Sequence, residues 1–325
     1  MVTASAPGKC ILFGEHAVVY GHPAVAVAID ARLTVSVREG VDKWSIDGMH
    51  FSEEKHPHLT YLHNRLWDGD ALALQVTSEI FGAAGLGSSA ALSSAYSAVL
   101  LELQNPGSSA AQLPLIAECA HLAEAAAQSG RASPTDSSTS SLGGCVLISD
   151  ERDDDAEWQY TRELEVAGEA RRWEVHRIDL PATFAEASIV IGFTGRPGPT
   201  GKMVAKVADM LESNPDRMED IDRIGTVTRA GVTALRLGNI EAVGIAMDEC
   251  HRLLQGIGVS DEGLDRLVEA ARPYAYGAKM TGAGGGGCML ALTMDARRCA
   301  EAIELAGGRT LISPLGVEGV RIEQS

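Results

Sequence analysis

Four consecutive glycines, Gly284 to Gly287, interrupt an apolar stretch near the end of the chain. They belong to the segment Thr281–Cys288, TGAGGGGC, and its apolar flanks favour a strand on each side. Glycine has no Cβ and adopts positive φ readily, so the run predicts a tight loop that another group approaches closely. A flexible linker is the alternative, but such linkers mix serine with glycine in polar surroundings. We interpret the run as a loop associated with a functional site.

A second glycine-rich segment, Gly82 to Ala91, reads GAAGLGSSAA and leads into a stretch that predicts a helix from Ala90 to Leu103. The backbone N–H groups of such a loop and the following helix N-terminus bind anions without cationic side chains. Ser88 and Ser89 add hydroxyl groups that can reach a phosphate or a metal. The segment predicts a phosphate cradle, and helix capping by the serines is the alternative.

Neither loop fits the best-known nucleotide motifs. No GxxxxGK followed by Ser or Thr occurs, so a Walker-type site is not predicted. The pattern GxGxx(G/A) is matched twice, by Gly85, Gly87 and Ala90 and by Gly282, Gly284 and Gly287. A dinucleotide fold also needs a second strand that ends in an acidic residue about 20 residues further on. Neither match is followed by such a strand, which disfavours this function.

A third segment, Pro7 to Gly21, reads PGKCILFGEHAVVYG and places Lys9, Glu15 and His16 around an apolar run that predicts a strand. A lysine beside buried surface either pairs with an acid or serves charge chemistry. Lys9 is therefore a candidate functional residue. For His16, a hydrogen-bonded structural role is the alternative to a role at a site.

A fourth segment, Gly130 to Gly144, is rich in hydroxyl groups and has Asp136 as its only acid. We interpret the segment as a loop and Asp136 as a candidate base. An Asx-turn or a helix cap is the alternative, since most loop aspartates serve those purposes. Upstream, Glu118 and Glu124 lie on a helix predicted from Ala110 to Gln128. In the absence of other information, both are expected to be acidic side chains at the surface.

Length and pattern predict two lobes. The 325 residues suffice for two compact units of about 150 residues each, and a hydrophobic content of 45% supports a core in both. Strands followed by helices in each half predict an α+β fold with a boundary between Ile178 and Ser188. The first half begins with separate strands at Ala24–Ile29 and Leu33–Arg38, and three or four helices are expected between Lys202 and Ala271.

Charge and composition exclude several function classes. The net charge of −17 disfavours binding of nucleic acid or anionic membranes through a basic face. No signal peptide precedes the first motif and no apolar run reaches the ~20 residues of a membrane span, so we expect a cytoplasmic protein.

Cysteines and histidines do not indicate a metal site. The six cysteines have no paired spacing and are expected to be reduced core residues. They are Cys10, Cys119, Cys145, Cys250, Cys288 and Cys299. His56, His58 and His63 cluster locally but lack a companion carboxylate or cysteine pattern, so we expect them at the surface.

Together these segments resemble the GHMP kinases, the superfamily named for galactokinase, homoserine kinase, mevalonate kinase and phosphomevalonate kinase. PGKCILFGEHAVVYG, GLGSSAA and KMTGAGGGGC occur in family order and with family-like separations. The resemblance spans nearly the whole chain and implies a two-lobed fold with the site in the cleft. Residues 1–182 would form an N-terminal α/β domain like ribosomal protein S5, and residues 183–325 a C-terminal ferredoxin-like α+β domain.

The resemblance also implies roles for individual residues. Asp136 would be the catalytic carboxylate and Lys9 its cationic partner. The ATP phosphates would lie on Gly85, Leu86, Gly87, Ser88, Ser89 and Ala90. Mg²⁺ would be held by Ser89 and Glu124. The acceptor would contact Lys9, Glu15, His16, Asp136, Thr200, Gly282 and Ala283.

Two of these assignments have alternatives. At the family's own spacing from Asp136, the magnesium ligand would be Ala125, and a one-residue insertion near Ser129 would return Glu124 to that place. For Thr200, an N-cap of the following helix is the alternative.

The implied activity is an ATP-dependent phosphoryl transfer to a small alcohol, with ATP and Mg²⁺ as cofactors. GEHAVVYG is similar to the mevalonate kinase branch, which implies mevalonate as the acceptor; a homodimer is compatible with it. Phosphomevalonate is the alternative acceptor, although the motifs show no added basic residues for a second phosphate. A non-catalytic member of the fold is a further alternative, but it would be expected to lose Lys9 or Asp136.

Overall fold

The computed structural model describes residues 1–127, 132–166 and 169–324. Its strands are, in chain order, β1 Val2–Phe13, β2 Ala24–Arg38, β3 Ser45–Ile46, β4 Met49–His50, β5 Ala73–Ser78, β6 Cys145–Ser149, β7 Glu157–Val166, β8 Glu169–Ile178, β9 Ser188–Phe193, β10 Gly277–Thr281, β11 Cys288–Thr293, β12 Arg309–Pro314 and β13 Arg321–Ile322. Its α-helices are α1 Pro57–Leu66, α2 Ser88–Gln104, α3 Leu113–Ala127, α4 Thr135–Leu142, α5 Thr200–Ser213, α6 Met218–Arg236, α7 Ile240–Gly256, α8 Glu262–Ala271 and α9 Ala296–Leu305.

The first lobe is built on the long antiparallel pair of β1 and β2. On its other edge β2 pairs with β6 along its first half and with β5 along its second half. The resulting sheet has the order β4-β3-β5-β2-β6-β8-β7, with β1 paired to β2 and β13. The helices α2 and α4 pack against β1 and β2, and α3 packs against both of these helices. This arrangement brings β1 and the N-terminal ends of α2 and α4 to one place.

The second lobe is an antiparallel sheet with the order β10-β11-β9-β12. Counting its strands along the chain, this is the order of a ferredoxin-like fold, in which the first and third strands are central. The strand β11 is buried at all six positions because helices cover the sheet. The loop between β10 and β11 contains the glycine run and lies at the edge that faces the first lobe.

The two lobes are joined at several points. The chain leaves the first sheet at Ile178 and enters the second at Ser188, but β13 returns to pair with β1. The division at residue 182 stays a prediction, because this last strand belongs to the first sheet. Helix α6 also packs against β1.

Two local predictions are wrong. The segment read as a loop, Gly130 to Gly144, contains α4, and Asp136 lies in its first turn. Its small hydroxyl side chains are buried, and Ser94 and Ser141 form a hydrogen bond of 2.9 Å between α2 and α4. Packing therefore stabilises a helix that composition alone does not favour. The strands predicted on either side of Asp30 form the single strand β2.

Four elements were not predicted, namely α1, β3, β4 and β12. β12 lies at the edge of the second sheet, where only Ser313 of its six residues is buried, so its sequence lacks a clear apolar alternation. Four helices, α5 to α8, fill the stretch for which three or four were expected. The predicted end of α3 at Gln128 lies outside the described residues.

The three histidines of the local cluster are half-buried. His63 stacks on Trp44 with ring centroids 4.8 Å apart, and His56 stacks on Phe51 at 5.3 Å. Burial lowers the pKa of His58 and His63, as expected for neutral rings in a partly apolar setting. In the described ranges, no group of three or more His, Cys, Asp or Glu side chains could hold a metal ion.

All six cysteines lie in described parts of the chain, and they are buried and free, as predicted. No described helix combines the length and apolar character needed to span a membrane.

The contact between α6 and β1 gives a test of the lobe junction. A Cβ at Gly231 would lie 2.5 Å from Cε2 of Phe13, a fully buried ring. We expect Gly231→Ala to lower the free energy of unfolding by about 1–3 kcal/mol through overpacking. Gly256→Ala is the control, because its Cβ would meet nothing within 4 Å. Denaturant unfolding of both variants measures this, and equal effects would contradict the close packing.

Candidate active site

Lys9 lies at the centre of the candidate site. It follows the irregularity between Pro7 and Gly8, where the register of β1 with β2 shifts, and only 2% of its surface is exposed. Its Nζ lies 2.9 Å from Oδ1 of Asp136 and donates a hydrogen bond to the carbonyl oxygen of Gly85 at 3.0 Å. A buried ammonium requires such partners because an unpaired one is strongly unfavourable. Lys9 thus pairs with an acid.

The loop before α2 closes around this lysine. Gly85 and Gly87 have φ values of 79° and 73°, in the left-handed region that favours glycine. A Cβ at Gly87 would lie 3.0 Å from Cγ of Lys9. The loop is also held through its main chain, since the amide of Lys9 donates to the carbonyl oxygen of Leu86 at 2.9 Å. The glycines of GLGSSAA therefore allow the loop to lie directly over the lysine.

Two cavities meet at Asp136. One has a volume of about 860 Å³, and its lining includes Gly85, Leu86, Gly87, Ser88 and Ser89. Ala90 is fully buried behind that lining. The other has a volume of about 440 Å³, and its lining includes Lys9, Glu15, His16, Gly282 and Ala283. Both cavities are bordered by Gly85, Glu124, Asp136, Thr200 and Val204. Each volume fits a small-molecule site, so two ligands can approach each other at the carboxylate.

Ser89 and Glu124 form the second polar pair of the site. Ser89 Oγ donates to Oε1 of Glu124 at 2.9 Å, across α2 and α3. Burial, followed by repulsion from Asp136, raises the pKa of Glu124 to about 8, although Ser89 and Lys9 act in the opposite direction. The neighbouring Ala125 has no ligating group. The insertion inferred near Ser129 lies outside the described residues.

Asp136 is brought to the cavities by α4. It lies in the first turn of this helix, where the helix dipole favours a negative charge. About one third of its side chain is exposed, and the exposed part faces the place where the two cavities join. The carboxylate can therefore contact a ligand while it stays paired with Lys9.

His16 has a structural hydrogen bond. It adopts a φ of 62°, which is uncommon for a residue with a side chain, and its Nε2 lies 3.0 Å from the carbonyl oxygen of Ala283. Because a carbonyl only accepts, Nε2 carries the proton. Burial lowers the pKa of His16, which keeps the ring neutral. The residue borders the smaller cavity and joins the glycine-rich segment to the first lobe.

The carboxylate of Glu15 forms a buried ion pair. Its carboxylate contacts Nζ of Lys279, and both side chains are almost fully buried. Lys279 also donates to the carbonyl oxygen of Met280 at 2.6 Å, and Cys250 lies 3.8 Å from the other carboxylate oxygen. Burial raises the pKa of Glu15, against the opposing effect of Lys279. Glu15 borders the smaller cavity, but its charge is already compensated.

Sequence reasoning missed Lys279. The signal was present, because a lysine inside the apolar strand GAKMT raises the same question as Lys9 inside its strand. Lys279, Thr281 and Ala283 alternate along one segment, and each bonds to the end of β1 or the residues just after it. Thr281 Oγ1, for example, accepts from the amide of Ile11 at 2.8 Å. We call these three contacts the lobe seam.

Thr200 begins α5 and borders both cavities. The N-cap position belongs to Pro199, and no side chain caps this helix, so the capping alternative for Thr200 is not supported. In the smaller cavity Thr200 shares the lining with Lys9 and Asp136.

The glycine run packs against protein. Gly284 to Gly287 all have positive φ. A Cβ at Gly284 would lie 2.0 Å from the carbonyl oxygen of Val259, and one at Gly286 would lie 2.6 Å from that of Pro197. The close approach predicted from the sequence is therefore real, but the groups that approach are neighbouring loops. Only the preceding residues, Gly282 and Ala283, reach the cavity.

Known proteins share this organisation. The chain matches the family model for the GHMP kinases N terminal domain over residues 57–144 and that for GHMP kinases C terminal over residues 232–308. It is 34% identical to the mevalonate kinase of Pyrococcus furiosus, over 99% of this chain and 98% of that protein. The chain belongs to the GHMP kinases. Its two-lobed α+β fold, predicted from the motifs, is confirmed.

Two further GHMP kinases define the likeness. The mevalonate kinase of Methanothermobacter thermautotrophicus is 37% identical, with 89% of each chain covered. The crystal structure of the Methanococcus jannaschii mevalonate kinase has a TM-score of 0.73 and 24% identity, covering 99% of this chain and 98% of that one, which shows the same fold. As a GHMP kinase, the chain is an ATP-dependent small-molecule kinase.

The β7–β8 hairpin supplies cavity residues that sequence reasoning missed. Arg171 and Trp173, on β8, border the smaller cavity together with Tyr20 and Asp209. No motif contains Arg171 or Trp173. Composition indicates only a polar strand region at this point of the chain. The register of the hairpin determines that these two residues border the cavity.

The ion pair of the lobe seam gives a second test. Lys279→Met leaves the Glu15 carboxylate buried and unpaired, so we expect a loss of roughly 3–5 kcal/mol in the free energy of unfolding. The double variant Glu15→Gln/Lys279→Met should recover much of that loss, because no buried charge remains. Denaturant unfolding of Glu15→Gln, Lys279→Met and the double variant measures the coupling.

Lys206→Met is the matched control, because Lys206 is exposed and only donates to the carbonyl oxygen of Gly258. Its effect should stay within about 0.5 kcal/mol. Additive losses in the double variant would show that Glu15 and Lys279 do not act as a pair.

Proposed function

We propose that this GHMP kinase transfers the γ-phosphoryl group of Mg-ATP to the 5-hydroxyl of mevalonate. The observation that carries the proposal is the meeting of two cavities at Asp136, with Lys9 in contact with it. The names of the full-length relatives supply the acceptor, since those at 34–37% identity are mevalonate kinases.

The larger cavity would take the ATP phosphates. Its wall is the backbone of the glycine loop followed by the first turn of α2, whose N-terminus attracts anions. Ser88 and Ser89 begin that helix and border the cavity. The γ-phosphoryl group would then lie toward Asp136, where the smaller cavity begins.

Asp136 and Lys9 divide the work on the acceptor. Asp136 would accept the hydrogen bond of the 5-hydroxyl and orient its oxygen toward the phosphoryl group, with proton transfer to the carboxylate as the oxygen attacks. Lys9, 2.9 Å from the carboxylate, would favour the developing alkoxide and neutralise charge on the moving group. This division suits phosphoryl transfer, in which positioning and charge stabilisation supply most of the catalysis.

Mg²⁺ would be held by Ser89 and Glu124. The pair fits this ion because both donors are hard oxygen atoms and because a lone buried carboxylate needs a compensating positive charge. One carboxylate is enough, since Mg²⁺ takes its remaining ligands from substrate phosphates and water. When bound, the ion neutralises charge on the ATP phosphates.

The lining of the smaller cavity favours an acceptor with an anionic end and an apolar middle. Ile11, Val18 and Trp173 supply apolar wall, and Arg171 supplies a guanidinium. Among the described residues of this lining, Lys9 and Arg171 are the only lysine and arginine, and Asp209 adds a negative charge. Arg171 would bind the carboxylate of mevalonate, while a phosphorylated acceptor would have no further cation.

The activity is tested by coupled ADP release with mevalonate, phosphomevalonate, galactose and homoserine. We expect turnover with mevalonate and a kcat roughly 10²–10⁴-fold lower in Asp136→Asn, because the amide cannot accept the proton. Asp150→Asn, which changes an exposed acid outside the cavities, is the control. No mevalonate-dependent ADP release by the wild type would refute the acceptor, and full activity of Asp136→Asn would refute the role of that carboxylate.

Arg171 provides a separate test of acceptor binding. Arg171→Gln should raise the KM for mevalonate about 10-fold or more, since a hydrogen bond between charged groups is worth about 1.5–3 kcal/mol. The KM for ATP should not change. Arg172→Gln is the matched control, because Arg172 pairs with Glu174 and Glu163 and does not border the cavity. Equal effects of the two substitutions on the KM for mevalonate would contradict the role of Arg171.

A further inference from the structure

His121 connects the two chain segments that carry the carboxylates of the site. It lies on α3, one turn before Glu124, and its side chain is fully buried. Its Nε2 lies 2.9 Å from the carbonyl oxygen of Ala132. Ala132 lies shortly before α4, which begins at Thr135 and carries Asp136 in its first turn. The hydrogen bond therefore fixes the approach to α4 against α3, independently of the covalent connection between them.

The ring of His121 is held on both sides. Arg162, on β7, donates from Nε to Nδ1 of His121 at 3.0 Å. A guanidinium only donates and a carbonyl only accepts, so the imidazole must be neutral, with its proton on Nε2. Burial lowers the pKa of His121 to about 4, in agreement with that tautomer. The ring also meets Trp173 edge to face, with centroids 5.7 Å apart.

A second contact from β7 reaches α4. The hydroxyl of Tyr160 donates to Oγ of Ser138 at 2.8 Å, two residues after Asp136. Tyr160 and Arg162 are two residues apart on one strand and so project from the same face. One strand thus braces both segments, through His121 on α3 and through Ser138 on α4.

We propose that His121, oriented by Arg162, is a positioning residue that sets the separation between Glu124 and Asp136. The inference rests on the proposed function, in which Glu124 holds Mg²⁺ and Asp136 orients the acceptor. Repulsion between two carboxylates in a partly buried site drives them apart, and a hydrogen bond between their supporting segments resists this. His121 touches neither ligand and acts only through the backbone it holds.

The test compares His121→Leu with His121→Gln. Leucine removes both hydrogen bonds at similar size, whereas the amide nitrogen of glutamine occupies nearly the place of Nε2 and can still donate to Ala132. We expect His121→Leu to weaken MgADP binding and to raise the Mg²⁺ concentration for half-maximal activity roughly 10–100-fold, the usual effect of losing a residue that supports a metal ligand. His121→Gln should keep most of the MgADP affinity.

His176→Leu is the matched control for structural damage. His176 is also a fully buried histidine bonded to a main-chain group, since its Nε2 accepts from the amide of Asp153 at 3.0 Å. Its loss should lower thermal stability without changing MgADP affinity. Unchanged MgADP affinity in folded His121→Leu, or an equal change in His176→Leu, would overturn the proposal.

A third variant decides the matter if His121→Leu does not fold. Arg162→Met keeps the imidazole but removes the donor to Nδ1 that fixes its tautomer. We therefore expect MgADP binding to weaken by about threefold or more. Unchanged affinity in that variant would overturn the proposal. MgADP titration needs no acceptor, so this result stands apart from the mevalonate assay, whose failure would refute only the proposed acceptor.

Discussion

The buried ammonium of Lys9 constrains the whole site. A charge removed from water is tolerated only with close partners, and Lys9 has two, the carboxylate of Asp136 and the carbonyl oxygen of Gly85. These partners come from α4 and from the glycine loop, so the charge requirement of one strand residue draws three elements together. The loop can approach only because Gly87 leaves room for the lysine chain. The glycine loop and the carboxylate are thereby both bonded to the same nitrogen atom.

The lobe seam applies the same principle between the lobes. Lys279 and Thr281 are two residues apart on β10, so their side chains project from the same face toward the first lobe. In the loop that follows, the carbonyl oxygen of Ala283 adds the third contact. A buried ion pair adds less to stability than an apolar pair of equal volume, but breaking it is costly. The pair therefore acts chiefly on register, since a shift of one residue along the segment would leave two charges unpaired. The cavity beside it keeps its shape for the same reason.

The sequence contains the motifs and indicates the fold class, but it does not show which other residues line the cavities. Lys9 is visible in the sequence because it lies beside an apolar run, Ser89 because it follows a glycine loop, and Asp136 because it is the only acid of its segment. The structure brings all three to one cleft. Arg171 and Trp173 are invisible because any hairpin residue could face the cavity, and only the strand register decides which does. The prediction of a loop where α4 lies is wrong for a related reason. Its serines are buried by tertiary packing, which no local pattern records.

The glycine run is required by close packing against neighbouring protein groups. Glycine at Gly284 and Gly286 is required, because a side chain would meet the carbonyl oxygens of Val259 and Pro197. Those carbonyls belong to loops of the second lobe, and the amide of Gly285 bonds to Val259 at 2.8 Å. The run thus packs largely within its own lobe, but a Cβ at Gly287 would lie 2.8 Å from the carbonyl oxygen of Ala84 in the first lobe. By fixing the β10–β11 loop, the run also holds Ala283 where His16 can reach it. The run therefore acts on the cavity only indirectly, through the position of Ala283 in the lobe seam. A bulky residue in the run should disturb folding before it disturbs a bound ligand.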